Sequence, residues 1–383
     1  MTRILCSCLF LLSIAVQAQK KTLDHTVYDQ WQSLKDVVLS NDGSWMSYTI
    51  APQEGDAILY VKNLKTKQAF TIDRGTQAQF TENSSFLIAK IKPTFNETRQ
   101  AKISKKKPEE MPKDSLLIVD LQSNEIKKIA SVKSFQLAEK NSQTLVYLKD
   151  KKADINKEGS ELVVLTLQNK SERVFTSITQ YQIHPYGQSV AAFQTKTKLN
   201  PSKLIVASST DTTFKTLSSN IFNASNLVWD EQGKQLAYLV EKDSTHKALQ
   251  KDLRLAYYTE QADSAKYVFD RTHNVMPNQY TIGGDKKLNF SKSGSSLSLG
   301  IQPILPIKDT SLPEFDRVSL DIWNYSDANL QSTQIKTVDA NLKSTESVLF
   351  YPASNQFTYL GKINDRQIQY TTEGDGQFAI ANI

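Results

Sequence analysis

Cysteine is nearly absent from this chain of 383 residues. The two present, Cys6 and Cys8, both lie in its one long apolar stretch, residues 4–16. Arg3 supplies a positive charge ahead of that stretch, and Val16-Gln17-Ala18 follows it as a small-residue cleavage site. Residues 1–18 therefore read as a secretory signal peptide, and the chain is expected to be exported, to a Gram-negative periplasm. A mature chain starting near Gln19 has no thiol, which excludes disulfides, thiolate metal sites and a cysteine nucleophile. A lipoprotein would need its cysteine just after the apolar run, and these come too early. No later run approaches the roughly 20 apolar residues of a membrane helix, so no transmembrane segment is expected in the mature chain.

Histidine is scarce too. His25, His184, His246 and His273 are widely separated, and none has the i, i+4 spacing that puts two imidazoles on one zinc-binding helix face. His184 occupies a turn and is expected to face solvent. No glycine opens a G-x-S-x-G elbow, in which small neighbours let a serine sit on a strained strand-to-helix turn. The nearest approaches, residues 187–191 and 296–300, lie in strand-like segments. A P-loop, a dinucleotide fingerprint and a calcium loop are also missing, and Gly283-Gly284 reads as a turn. No catalytic, cofactor-binding or metal-binding residue is assigned, and no cofactor is expected. Net charge is +6, or +5 once Arg3 is removed. The basic runs at 105–107 and 149–152 have acidic neighbours and no interleaved aromatics, the pattern of solvated loops and not of a nucleic-acid groove.

What the chain does contain is repetition. An apolar residue, a short polar turn and an apolar strand recur at residues 39–48 (LSNDGSWMSY), 80–89, 137–146, 183–192, 229–238 (WDEQGKQLAY) and 290–299 (FSKSGSSLSL). A weaker seventh copy is 350–359 (FYPASNQFTY). Glycine in the turn supplies the left-handed backbone that a tight hairpin requires. Between copies lies a second hairpin, as at 58–70, 116–126 and 162–174, with later versions beginning at Leu204, Leu253 and Leu320. Two hairpins per repeat make four strands, one blade of a β-propeller. A pair of β-sandwiches would also show many short strands, but not seven copies of one two-hairpin unit.

Leading residues lie 41, 57, 46, 46, 61 and 60 apart, against roughly 40–50 for common blade repeats. The longer intervals require insertions, placed at residues 94–113 in the second blade and at 241–251 and 270–287 in the fifth. The expected layout is a signal at 1–18, a lead-in at 19–36 and an all-β propeller over 37–383. About seven four-stranded blades fall near 37–72, 77–130, 132–175, 179–217, 224–269, 286–336 and 346–383, in a ring that this chain need not complete. Residues 27–34 show the 3–4 apolar spacing of one short helix. Trp45, Trp229 and Trp323 are expected to be packing anchors between blades.

The segment 229–238 resembles the repeat of TolB-like propellers and of the propeller domains of prolyl oligopeptidase-type peptidases. Tyr28-Asp29-Gln30-Trp31 followed by residues 39–45, together with 97–102, 111–116 and 320–325, is similar to exported family S9 peptidases of Bacteroidetes-type bacteria. That resemblance covers nearly the whole mature chain. It implies a propeller that filters peptides and an α/β-hydrolase domain carrying Ser, Asp and His. No position here matches such a catalytic residue, so the resemblance implies the non-catalytic part of a C-terminally truncated serine peptidase. Its partners would be peptides and the missing hydrolase domain. The alternative is a free-standing TolB-like periplasmic propeller acting as a protein-binding scaffold. A propeller enzyme with its own channel site finds no supporting cluster of histidines or carboxylates.

Overall fold

The computed structural model describes residues 24, 27–28, 31–141, 143–150, 159–198, 200–241, 250–305, 316, 320, 322–361 and 368–381. Short strands alternate with tight turns through nearly all of them. The first four strands, β1 (Gln32–Leu39), β2 (Trp45–Pro52), β3 (Ile58–Asn63) and β4 (Ala69–Asp73), form one antiparallel meander. The next is β5 (Gly75–Phe80), β6 (Phe86–Ile91), β7 (Ser115–Asp120) and β8 (Ile126–Ile129). The third sheet contains β9 (Val132–Leu137), β10 (Thr144–Lys149) and β11 (Ser160–Thr166). Its outer strand is the start of the long β12 (Glu172–Ile183), whose end opens the fourth sheet with β13 (Ser189–Gln194), β14 (Lys203–Ser208) and β15 (Phe214–Ser219). β16 (Asn223–Trp229), β17 (Gln235–Glu241), β18 (Leu253–Thr259) and β19 (Lys266–Phe269) make the fifth.

In the sixth sheet, two short segments, β20 (Tyr280–Ile282) and β21 (Asn289–Phe290), share the first place. They pair with opposite ends of β22 (Leu297–Pro303), and β23 (Glu346–Tyr351) and β24 (Gln356–Tyr359) complete it. A two-stranded hairpin, β25 (Ile368–Tyr370) and β26 (Ala379–Ala381), follows.

Period-two alternation explains how the sheets stack. On β6, Leu87, Ala89 and Ile91 pack toward the first sheet, and Ile88 packs toward the third. On β17, Leu236, Tyr238 and Val240 join the fourth sheet, and Ala237 and Leu239 join the sixth. Middle strands are therefore apolar on both faces, and five cores lie between successive sheets. Tyr147, Tyr238, Phe193 and Phe350 are fully buried there, each such side chain contributing about 1.5–3 kcal/mol by its burial. This all-β stack of antiparallel sheets is in keeping with a β-propeller. Seven four-stranded blades are not formed by the described residues.

Several sequence expectations change. Residues 27–34 are not one helix: among the described residues Val27 and Tyr28 lie in a helical turn, and from Gln32 the chain is β1. Strand pairing with β2 supplies more hydrogen bonds than one isolated turn can. Phe350 does not open a seventh unit. It faces Leu297 across the sixth sheet, and 350–359 is the hairpin of β23 and β24. The segment from Leu320 to Tyr325 is not a strand where described, because β23 already occupies the place beside β22. The true seventh copy is 370–381 (YTTEGDGQFAIA), where Gly374 has φ +95° and its N–H donates to Thr371 O at 3.0 Å.

The connections sort by end. Those between first and second strands are five to eight residues long in every sheet. Those between second and third strands emerge at the opposite end and include 23 residues in the second sheet and 42 in the sixth. The insertion expected at 94–113 is here, carrying helix α1 (Phe95–Ile103), which a Thr94–Glu97 capping box starts. The 42-residue connection carries helix α2 (Gln331–Leu342). No helix among the described residues is long and apolar enough to cross a membrane. The expected signal peptide, residues 1–18, lies outside the described residues.

Candidate functional site

First strands gather around one cleft. Side chains of β5, β9, β12, β16 and β21 line a cavity of about 540 Å3 at the end that bears the short turns. Bulges shape these strands. Register slips between Lys35 and Val38, Thr76 and Gln79, and Ser225 and Val228, with Asp36, Gln77 and Asn226 at φ +52° to +53°. A bulge bends the strand and re-aims the residues beyond it. Asn226 also donates to Gly284 O at 2.9 Å, tying the fifth sheet to the sixth.

Immediately before the leading residue of each copy stand Val38, Gln79, Gln136, Gln182, Val228, Asn289 and Gln369. Five of the seven are carboxamides, and four of those line the cleft. Gln136 is committed internally: its Oε1 accepts from Ile183 N–H at 2.9 Å and its Nε2 donates to Gln182 Oε1 at 3.3 Å. Trp229 Nε1 donates to Gln182 O at 3.4 Å. Gln79 and Asn289 are exposed at the wall. The row shows in the sequence when the repeats are aligned one residue ahead of their leading positions.

The turns above the cleft share one construction. The buried residue after the leading one turns its side chain back to the next strand. Ser40 Oγ accepts from Trp45 N–H at 2.9 Å, Thr81 Oγ1 from Phe86 N–H at 3.0 Å, Asp230 Oδ1 from Gln235 N–H at 2.8 Å and Ser291 Oγ from Ser296 N–H at 3.1 Å. Asp42 is held well below the usual carboxylate range by hydroxyl hydrogen bonds from Ser40 and Ser44. Neighbouring turns are clasped together. Thr144 Oγ1 donates to Gly187 O at 3.2 Å, Gln235 Nε2 to Gly294 O at 3.1 Å and Ser296 Oγ to Gly374 O at 3.4 Å. Lys140 bridges to Glu231 at 2.9 Å, and Lys292 to Glu373 at 2.6 Å.

His184 belongs to this clasp and is not the solvent-facing turn residue expected. It is 7% exposed, packed edge-on to Trp229 at 5.0 Å. Its Nε2 lies 2.9 Å from Gly233 O, and its Nδ1 accepts from Tyr186 N–H at 3.1 Å. These partners assign the neutral tautomer with the proton on Nε2, and burial lowers its pKa. His273 packs against both Phe269 and Phe357, its ring tilted to theirs at 4.9 and 4.8 Å. His25 and His246 lie outside the described residues. Among the described residues no group of three or more His, Cys, Asp or Glu could hold a metal ion. Gly187 and Ser189 sit at a turn and a strand start, and Ser298 and Gly300 on β22. Gly284 lies in a turn. Trp45 and Trp229 are packing residues, but Trp323 is 75% exposed.

A second hollow, of about 650 Å3, opens beside α1 at the other end of the second sheet. Arg74, Lys92, Lys106, Lys113 and Lys128 outnumber Glu97 and Glu110 in its wall, and Glu97 is spent on the cap of α1.

No protein-family model matches the sequence, and no curated protein matches it. Solved structures do align. The β-propeller domain of the Trilobed protease from Pyrococcus furiosus is 9% identical over 88% of this chain and 87% of that one, with a TM-score of 0.41. Pyrococcus horikoshii acylaminoacyl peptidase is 10% identical over 73% of this chain, with a TM-score of 0.39, and 44% of its own length is covered. TolB from Acinetobacter baumannii is 9% identical over 60% of this chain and 52% of that one, with a TM-score of 0.32. At these values no activity, substrate or partner passes from those structures to this chain.

Proposed function

We propose that this chain is the non-catalytic, substrate-admitting propeller of an exported S9-type serine peptidase, working in the periplasm beside an α/β-hydrolase domain that supplies the nucleophile. The observation that carries this reading is the contrast between the two ends of the sheets. One end carries short, clasped, polar turns around a cleft of peptide scale. The other bears the long connections, and the described part of the longest exposes Leu320, Ile322, Trp323, Tyr325 and Leu330, each at least 70% accessible. Contiguous exposed apolar side chains are the mark of a surface that another domain covers. A peptide filter needs one open mouth and one end joined to the catalytic unit, and this polarity is in keeping with that need.

The test uses the native polypeptide. An antibody raised against this chain should detect a protein longer than 383 residues that a fluorophosphonate probe labels. An unlabelled native species of this chain's own length would overturn the proposal and leave a free-standing binding propeller. The chain alone should not hydrolyse alanyl or prolyl peptide substrates. Hydrolysis abolished by a serine-directed inhibitor would also overturn it.

A further inference from the structure

The cleft's chemistry goes further than admission. Gln79, Gln182 and Asn289 present uncharged amides to one space, at one register position of three different sheets. Gln136 holds Gln182 in place by donating to its Oε1 at 3.3 Å, and Gln182 lines the cleft beside it. A carboxamide carries the same donor and acceptor pair as a peptide group, so it bonds a main chain without regard to side-chain identity. A filter that must pass many sequences requires that property.

Three observations narrow the ligand class. Saccharide sites usually offer an open aromatic face for the ring, but of the aromatics in this wall Trp229 and Phe290 are 8% and 7% exposed, and the half-buried Phe135 is packed against the core between the second and third sheets. Nucleic acid is opposed by charge. The seven first turns (40–44, 81–85, 138–143, 184–188, 230–234, 291–295 and 371–377) hold seven acidic residues against three lysines, in a chain whose net charge is +6. Lys140 and Lys292 pair with Glu231 and Glu373 and Asp230 is buried, so the remaining turn charges are Asp42, Glu82, Glu139 and Asp375 against Lys234. The mouth is thus an acidic rim on a basic molecule, and such a rim raises the local concentration of cationic ligands.

We propose that this cleft binds the extended backbone of a peptide whose leading end is positively charged, with Gln79, Gln182 and Asn289 bonding its main chain and the acidic turns drawing in its cationic end. This rests on the peptide-filter reading above and names the contacts of that filter.

Calorimetry on the whole chain tests it with three probes: the peptide Lys-Ala-Ala-Ala-Ala amide, the acetylated peptide Glu-Ala-Ala-Ala-Ala amide, and cellotetraose. The cationic peptide should bind, the anionic one more weakly, and cellotetraose not measurably. Binding should weaken as salt is raised, because rim attraction is screened. The double variant Gln79→Leu/Asn289→Leu changes two exposed side chains and should keep the parent's melting temperature. It should bind the cationic peptide roughly tenfold more weakly, as expected for losing two neutral hydrogen bonds. A benzophenone-tagged version of the same peptide should crosslink to residues of the turn end in the parent. Equal affinity in parent and variant, preference for cellotetraose, no binding by any probe, or crosslinks confined to the α1 end would each overturn the proposal. None of these outcomes bears on whether the native polypeptide is longer and reacts with a fluorophosphonate, so the two readings fail separately.

Discussion

Gly233 shows how one residue can hold two sheets in register. Its φ is +72°, and a Cβ there would lie 2.0 Å from His184 Nε2 and 2.2 Å from Cε1. Alanine is therefore strained twice, by its backbone and by collision with a ring that itself bonds Gly233 O. Gly233→Ala should cost about 1–3 kcal/mol or more, read as a lower urea midpoint; an unchanged midpoint would contradict the clasp. His184 makes the same contact sensitive to pH. Burial lowers its pKa in the folded protein below the ordinary value of 6.5, so the unfolded chain binds the proton first as pH falls. Its contribution is fully present above that ordinary value and declines as pH drops through it toward the lowered folded value. Protonation of Nδ1 also removes the acceptor for Tyr186 N–H. Thermal melts should show stability falling from about pH 7 toward pH 5, and His184→Gln should flatten that part of the profile. A parent and variant with parallel profiles would exclude His184 as the source.

At the scale of elements, alternation decides what a substitution does. Leu239 on β17 is fully buried in the core between the fifth and sixth sheets, and Leu239→Ala should cost about 2–5 kcal/mol. Trp323, a larger side chain, should tolerate replacement by serine with a change within about 0.5 kcal/mol, because it is 75% exposed. Equal losses for the two, by chemical denaturation, would mean that the long connection of the sixth sheet is covered after all. Both residues sit in segments with strand-like patterns, and pattern alone does not separate them. Leu239 has partners on both sides, β16 and β18. Among the described residues the segment around Trp323 pairs with no strand, and β22 is already flanked by β20 and β21 on one side and by β23 on the other. Phe350 carries the same lesson. Its surroundings have an apolar strand, a polar turn and a return, but the residue after it is Tyr351, not one of the small polar residues that four of the first turns use to bond the next strand. At 370–381 Thr371 takes that place, and its hydroxyl donates to Phe378 O. The turn chemistry was present in the sequence, and only the strength of the surrounding apolar pattern hid it.

Across the whole molecule the sheets are not equally covered. Middle sheets pack on both faces, but β1 is exposed at nearly every position. The outer face of the first sheet carries Tyr48 stacked on Tyr60 at 5.2 Å, with Lys62 over Tyr48. Amide hydrogen exchange should therefore be fastest in β1 and slowest in β6, β10 and β17, whose residues are buried on both faces. Equal protection of β1 and β17 would show that the first sheet is covered in solution. The sequence by itself determined the strand character, the tight turns and the recurrence of the two-hairpin unit, because each depends on neighbours within about a dozen residues: alternation, a left-handed glycine, a back-bonding hydroxyl. It also held most of the carboxamide row, at one offset from the leading residues Phe80, Leu137, Ile183 and Phe290. Only the tertiary structure decided which hairpin fills which strand position, that His184 is buried, and that four of the carboxamides face one cleft. Those outcomes depend on contacts between residues far apart in the chain, as when Phe350 pairs with Leu297 and His184 closes on Gly233, and no local pattern encodes which distant surface will be there.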